Sequence, residues 1–288
     1  MRMSSKIPIT DNHAHLNPAR GLGIKALKGF IKYGGKNLVL VNLLCKHYGI
    51  PFSPEGFSRV YRLHLNVVRE ARRRYPELNV YAVVGPHPAE LTEALKEGIS
   101  LRTAERVMKK AIDEALRVIK ESELVIGLGE VGRPHYPVSS DIWEASNRVL
   151  KYALERAASE EVAVQIHMED PNRKSLAEII VMAEDAGMEP SRIVIHHAPP
   201  KLELAREFGL IFSVTGRAGF VRKCISEGGE FLLETDYLDD PRRPGAVLSL
   251  RSLPRLLNRL LKSGLLDPEV AWNINVRLPE RIYRVRFR

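Results

Sequence analysis

Asp11, His13 and His15 take every second place in the stretch TDNHAH. In an extended strand, residues two apart project from the same face, so the two imidazoles would leave the strand end together in a chelating arrangement. With 9 His in 288 residues, any chosen spacing arises by chance about 0.3 times per chain, so the pair needs partners elsewhere. Residues of the right type recur at the ends of apolar runs. Glu130 closes ELVIGLGE, His167 closes VAVQIH, His196 and His197 close RIVIHH, and Asp236 closes FLLETD. Mixed imidazole and carboxylate donors suit zinc and other divalent transition ions, whereas a hard magnesium or calcium site would be mostly oxygen.

The elements that would position these residues are short, apolar and β-branched: KIPIT, NLVLVNLL, NVYAVVG, ELVIGLGE, VAVQIH, RIVIHH, GLIFSVTG and FLLETD. Segments of helical periodicity lie between most of them. One follows Ser53, which can cap, and Pro54, which suits a first turn; another places Ile142, Val149, Leu150 and Leu154 on one side. Runs apolar on both faces and joined by helices imply parallel strands under a helical layer. Eight of them match a (β/α)8 TIM barrel spanning 1–288 as one domain, with an open doubly wound sheet as the alternative. The barrel is favoured because its catalytic groups come from many strand ends that meet at one C-terminal mouth. GLGEVG also fits a dinucleotide fingerprint, but Pro134 and Pro137 stand where its helix should start and Glu130 would face the phosphates, so that reading is set aside.

No run reaches the roughly 18 apolar residues of a membrane span, and MRMSSKIPIT lacks the apolar centre of a secretory signal, so the expectation is a cytoplasmic protein with no membrane partner. Cys45 and Cys224 show no metal-binding spacing and read as small buried apolar residues. The net charge of +9 favours anionic partners, nucleic acid among them, or simply aids solubility. No protein partner is indicated.

Taken together, DNHAH, GPHP, GEVG, a strand-five His, a strand-six His and ETD resemble the TatD-type metal-dependent deoxyribonucleases of the amidohydrolase superfamily. The likeness is nearest to uncharacterised archaeal relatives, through TDNHAH, VVGPHPAEL, GLGEVGRPHY and ETDYLDDPRRPGAV. It implies two divalent metals, zinc first and manganese or magnesium as alternatives. By the same resemblance His13, His15 and Asp236 would hold one ion, His167 and His196 the other, and Glu130 would bridge, with His197 as the fallback on strand six. Asp11 would orient the ligand segment without touching metal, and Asp236 would accept a proton from the attacking water. The chain departs from the nuclease members after strand four, where Arg133, Pro134 and His135 replace Leu-Asp, and after strand six, where APP follows. His87, Arg133, His135, Arg217 and Arg242, with Arg243, are expected around the mouth as contacts to a phosphate-bearing substrate, although Arg242 and Arg243 could instead pair with Asp239 and Asp240. Arg133 lies three residues past Glu130, within about 10 Å along the chain. The activity implied is phosphodiester hydrolysis at DNA or RNA ends. The alternatives are hydrolysis of a small phosphorylated, amide or lactone metabolite, and a barrel that only binds nucleic acid. His47 and His64 are assigned no role.

Overall fold

The computed structural model describes residues 7–242 and 248–287. Its parallel strands are β1 (Ile9–His15), β2 (Gly35–Val41), β3 (Asn79–Val84), β4 (Val125–Gly132), β5 (Ala163–His167), β6 (Ile193–Ala198), β7 (Ile211–Thr215), β8 (Leu232–Glu234) and β9 (Tyr237–Leu238). Each pairs with its predecessor from β2 to β8, and helices fill the crossovers. The eighth strand of the barrel is broken in two. Its first half, β8, pairs with β7, while its second half, β9, pairs with β1 after only Thr235 and Asp236 intervene. The ring therefore closes through one strand that changes partner in mid-course. Three bonds seal the seam: Asp236 N donates to His13 O at 2.9 Å, and Thr235 donates to Asp11 through its backbone N at 3.0 Å and its hydroxyl at 2.6 Å. The fold is the expected (β/α)8 barrel, and the divided strand explains why nine pairing elements replace eight runs.

Alternation along each strand splits the side chains between two cores. Leu38, Leu40, Val80, Ala82, Val164 and Ile195 turn outward under the helices. Val39, Val41, Val83, Ala163, Val194 and Leu232 turn inward and meet Leu278, Ile282, Tyr283 and Phe287 of the C-terminal segment, which plug the barrel floor. Followed upward by steps of two, the inward rows change character: Ala163 leads to Gln165 and His167, Val194 to His196, and Leu232 to Glu234. The floor is apolar and the mouth is polar, and both lie on the same strand faces.

The helix Pro54–Arg74 starts where its sequence indicates, with Ser53 Oγ accepting from Gly56 N at 3.0 Å and Pro54 in the first turn. In the helix Ser140–Ser159, Val149, Leu150 and Leu154 are buried. Cys45 and Cys224 are buried free thiols, and burial pushes Cys224 up to about 12. Among the described residues no helix is long and apolar enough to cross a membrane.

His64 is a packing residue of the helix Pro54–Arg74. It has no exposed surface, and its Nε2 donates to Leu40 O at 2.9 Å. Burial depresses its pKa to about 4. A depressed imidazole stabilises the fold above its unfolded value near 6.5, and that contribution fades as pH falls toward 4. Replacing His64 by Gln is accordingly expected to flatten the acid side of the melting-temperature profile. The parent should lose about 3 kcal/mol relative to the variant across that window; parallel profiles would contradict this account of His64.

Candidate metal centre

Glu130, near the end of β4, is 4% exposed and stands between two pairs of imidazoles. Its Oε2 lies 3.4 Å from His13 Nε2 and 3.5 Å from His15 Nε2, both on β1. Its Oε1 lies 3.0 Å from His167 Nδ1 on β5 and 3.4 Å from His196 Nε2 on β6. Asp236 Oδ1, from the break in the eighth strand, lies 3.6 Å from His15 Nε2. Barrel closure thus gathers His13, His15, Glu130, His167, His196 and Asp236 at one rim. His13, His15 and Asp236 offer donor atoms close enough to share one ion.

The other ring nitrogens of His13 and His15 are already engaged, which fixes where their lone pairs point. His13 Nδ1 is 2.8 Å from Gln165 Oε1, a carboxamide oxygen that can only accept, so the proton sits on Nδ1 and Nε2 faces the centre. Gln165 is itself held, its Nε2 donating to Tyr283 OH at 2.7 Å and to Asn12 O at 3.1 Å. His15 Nδ1 donates to Val41 O at 2.9 Å, again freeing Nε2. His196 lies between two carboxylates, its Nδ1 3.0 Å from Glu234 Oε1 and its Nε2 3.4 Å from Glu130 Oε1.

His87 has the opposite tautomer. Its Nδ1 accepts from Ala89 N at 3.0 Å, and burial, reinforced by His167, drops its pKa to about 3. The neutral ring therefore carries its proton on Nε2, the atom 3.7 Å from Glu130 Oε1. Although Nε2 is close enough to Glu130 and His167 to share an ion, this tautomer makes it a donor aimed at the centre instead of a ligand.

Three carboxylates, Glu130, Glu234 and Asp236, converge on this ring, and the first two are buried. Burial opposes their ionisation, yet His13, His196 and His87 hold Glu130 well below the usual carboxylate range, and His15 and His197 do the same for Asp236. Burial also works against a charged His196, but Glu234 and Glu130 outweigh it and push the group up to about 10. In the same cluster His15 and His197 are also raised, by Asp236 beside each, against the burial that opposes their charge. Divalent cations would answer the same negative charge without displacing the tautomers of His13 and His15. Glu234 Oε2, fully buried, finds no hydrogen-bond donor among the described residues. Donor types, tautomers and charge all fit divalent metal.

Asp11 touches no imidazole ring of this cluster. It accepts from Thr235 and, at 3.3 Å, from His13 N, and so ties β1 to the eighth strand. His135 is exposed beside His167, with Nδ1 2.6 Å from His167 Nε2. His197 is half-exposed and sends Nδ1 to within 3.0 Å of Asp236 Oδ2. Arg217 is exposed at the head of the helix Ala218–Glu227. Arg242 is paired with Asp240 two residues away at 3.2 Å, the local arrangement, and Arg243 lies outside the described residues.

Arg133 corrects its expectation. Gly132, at φ +144, passes so near His167 O that an added Cβ would lie 1.9 Å from it, and Arg133 N then donates to the same oxygen at 2.8 Å. The side chain ends with 0% exposure, 2.7 Å from both Glu169 and Glu178 and stacked 4.8 Å from the Trp143 ring. It braces the wall of the mouth and presents no charge to a substrate. Glu234 and Gln165 join the site although neither type marks a metal centre; each stands two residues before a strand-end ligand type and so shares its face.

A (β/α)8 barrel with imidazoles and carboxylates gathered at its C-terminal mouth has the build of a metal-dependent hydrolase. The chain belongs to the TatD family: residues 10–284 match the TatD related DNases. It is 34% identical over 284 residues, 98% of each chain, to the uncharacterised protein MJ1127 of Methanocaldococcus jannaschii. Solved structures share the fold. YJJV, the TatD homologue of Escherichia coli k12, superposes with a TM-score of 0.65 at 18% identity over 96% of this chain and 98% of its own. The phosphotriesterase homology protein of Escherichia coli, complexed with phosphate in its active site, gives 0.58 at 13% identity over 97% and 99%. A weak promiscuous lactonase template engineered for organophosphate hydrolysis gives 0.62 at 12% identity over 96% of each chain.

Two substitutions test these assignments. Gln165→Leu removes the acceptor that fixes the His13 tautomer and should weaken zinc affinity, measured by competition with a chromophoric chelator, by about 10- to 100-fold; unchanged affinity would remove Gln165 from the site's support. Arg133→Met should lower stability by about 2 kcal/mol, since its partner carboxylates can recover solvent, while metal content stays at the parent level. A raised KM with an unaltered melting temperature would restore Arg133 as a substrate contact.

Proposed function

We propose that this protein is a dinuclear divalent-metal phosphodiesterase that acts on DNA or RNA ends. The observation that carries the reading is the placement of Glu130, whose two oxygens each face a separate pair of imidazoles. One ion would be held by His13, His15 and Asp236 and the other by His167 and His196, with Glu130 shared. Bound divalent cations lower the pKa of water toward about 7 and neutralise charge on a phosphoryl oxygen. Zinc fits the donor set best, with manganese or magnesium as alternatives.

The chain's own groups do the rest. Asp236 is anionic and can accept the proton of the attacking water, and His197, against its Oδ2, offers that proton a way out to solvent. His87 Nε2–H is directed where a phosphoryl oxygen would gather charge. The water oxygen bonds to phosphorus, the bond to the leaving oxygen breaks, and that oxygen takes up a proton. The cavity above the centre, about 500 Å³, is lined by His135, His167, His197 and Asp236. It also admits Glu169 and Asp170 on one wall, an arrangement that favours a small ester or lactone over a strand lying flat across that side.

Metal-stripped protein reloaded with zinc, manganese or magnesium should hydrolyse bis(p-nitrophenyl) phosphate and shorten end-labelled oligonucleotides. Glu130→Gln should lower both rates by about 10³-fold or more. Cleavage of lactones or phosphomonoesters alone would transfer the assignment to the small-substrate reading. Parent-level rates in Glu130→Gln would remove the metal centre from the reaction.

A further inference from the structure

The positive excess of this chain is confined to two segments. No acidic residue occurs between Asp11 and Glu55, nor between Asp240 and Asp267, and each interval holds six cations. The remainder carries 32 cations against 35 acids, so these intervals account for the whole net charge. The fold brings them together. The helix Leu27–Lys32 follows β1 and the helix Ser252–Lys262 follows the eighth strand, which pairs with β1. The helices are in contact: a Cβ on Gly29 would lie 3.6 Å from Arg251 Cβ, and Asn258 Nδ2 donates to Tyr33 O at 2.7 Å.

Arg251, Arg255, Arg259 and Lys262 are spaced to form one stripe, and all are exposed, as are Lys28 and Lys32 on the neighbouring helix. Between the two helices lies a cavity of about 520 Å³, with Lys32, Tyr33, Arg255, Arg259 and Lys262 in its walls. The Arg255 guanidinium lies 5.1 Å and the Lys32 ammonium 5.8 Å from the centre of the Tyr33 ring. Among the described residues none of these cations pairs with a carboxylate. Elsewhere the chain does pair its surface arginines: Arg277, Arg281, Arg284 and Arg286 of the C-terminal segment meet Glu269, Glu230, Glu161 and Glu280. Like charges gathered without counter-charge cost stability unless an anion answers them.

We infer that this two-helix face is a docking surface for the phosphodiester backbone of a nucleic acid, outside the metal mouth. The stripe from Arg251 to Lys262 is about 16 Å long, the rise over which one strand of a duplex presents about five phosphates. A lipid surface fits less well, because Leu253, Leu256, Leu257 and Leu260 of the longer helix are all buried and leave its outer face polar. The inference deepens the phosphodiesterase reading and rests on it for the choice of polymer. It places the flank of a strand along the barrel wall while its end enters the mouth.

The test is fluorescence anisotropy of the zinc-loaded full chain with a labelled phosphorothioate 20-mer, single-stranded and duplex, across a salt series. The substitution set Lys32→Ala, Arg255→Ala, Arg259→Ala and Lys262→Ala should weaken binding about tenfold or more and reduce the salt slope by about 3. Its turnover of bis(p-nitrophenyl) phosphate should match the parent. A control set, Arg277→Ala with Arg281→Ala, should bind as the parent does. Absence of binding by the parent, or an unchanged slope in the fourfold variant, overturns the docking surface. Tighter binding to vesicles of phosphatidylcholine with 30% phosphatidylserine than to the oligonucleotide overturns the choice of partner. Loss of small-ester turnover in the parent itself, with binding intact, would count against the catalytic reading and leave the surface standing.

Discussion

Three carboxylates held close together in the mouth of a barrel set the terms for everything around them. Glu130, Glu234 and Asp236 come from β4, β8 and the break that follows it, and water reaches the first two hardly at all. Negative charge so confined must be met at short range or be neutralised by protonation. The imidazoles of His13, His15, His167 and His196 meet it in part, and the tautomers of His13 and His15 keep their Nε2 lone pairs turned inward, where a cation can use them. The fit to divalent metal is therefore a property of the folded charge distribution as much as of the family.

That distribution depends in turn on two devices that do no chemistry. Asp11 and Thr235 lock the seam between β1 and the eighth strand, which holds the His13 and Asp236 backbones 2.9 Å apart from N to O. From below, Tyr283 in the C-terminal plug reaches Gln165, and Gln165 reaches His13. A side chain anchored in the apolar floor thus helps set the orientation of a ring at the rim. Precision at the centre is obtained from rigid strands and packed residues, the elements of a barrel that open least readily.

Much of this was legible in the sequence because strands encode direction in their parity. His13 with His15, and the isolated Glu130, His167, His196 and Asp236, could be placed on one rim from their positions at strand ends. The same parity pointed to Gln165 and Glu234, but neither type announces a metal site by itself. The side chain of Arg133 escapes a reading by spacing, because separation along the chain bounds distance and says nothing of direction. The turn at Gly132 folds its side chain into the wall, where Glu169 and Glu178 absorb the charge. The role of His87 rests on a single backbone N–H from Ala89, which no residue spacing reveals. The divided eighth strand was equally hidden, since FLLETD reads as one continuous run.

Among the described residues, the plug formed by Leu278, Ile282, Tyr283 and Phe287 closes the rear of the barrel. The mouth is a cul-de-sac, and whatever enters must withdraw along its own path before the next encounter. A chain that entered such a vessel could not be threaded through it; entry and departure would share the mouth, one departure for each arrival.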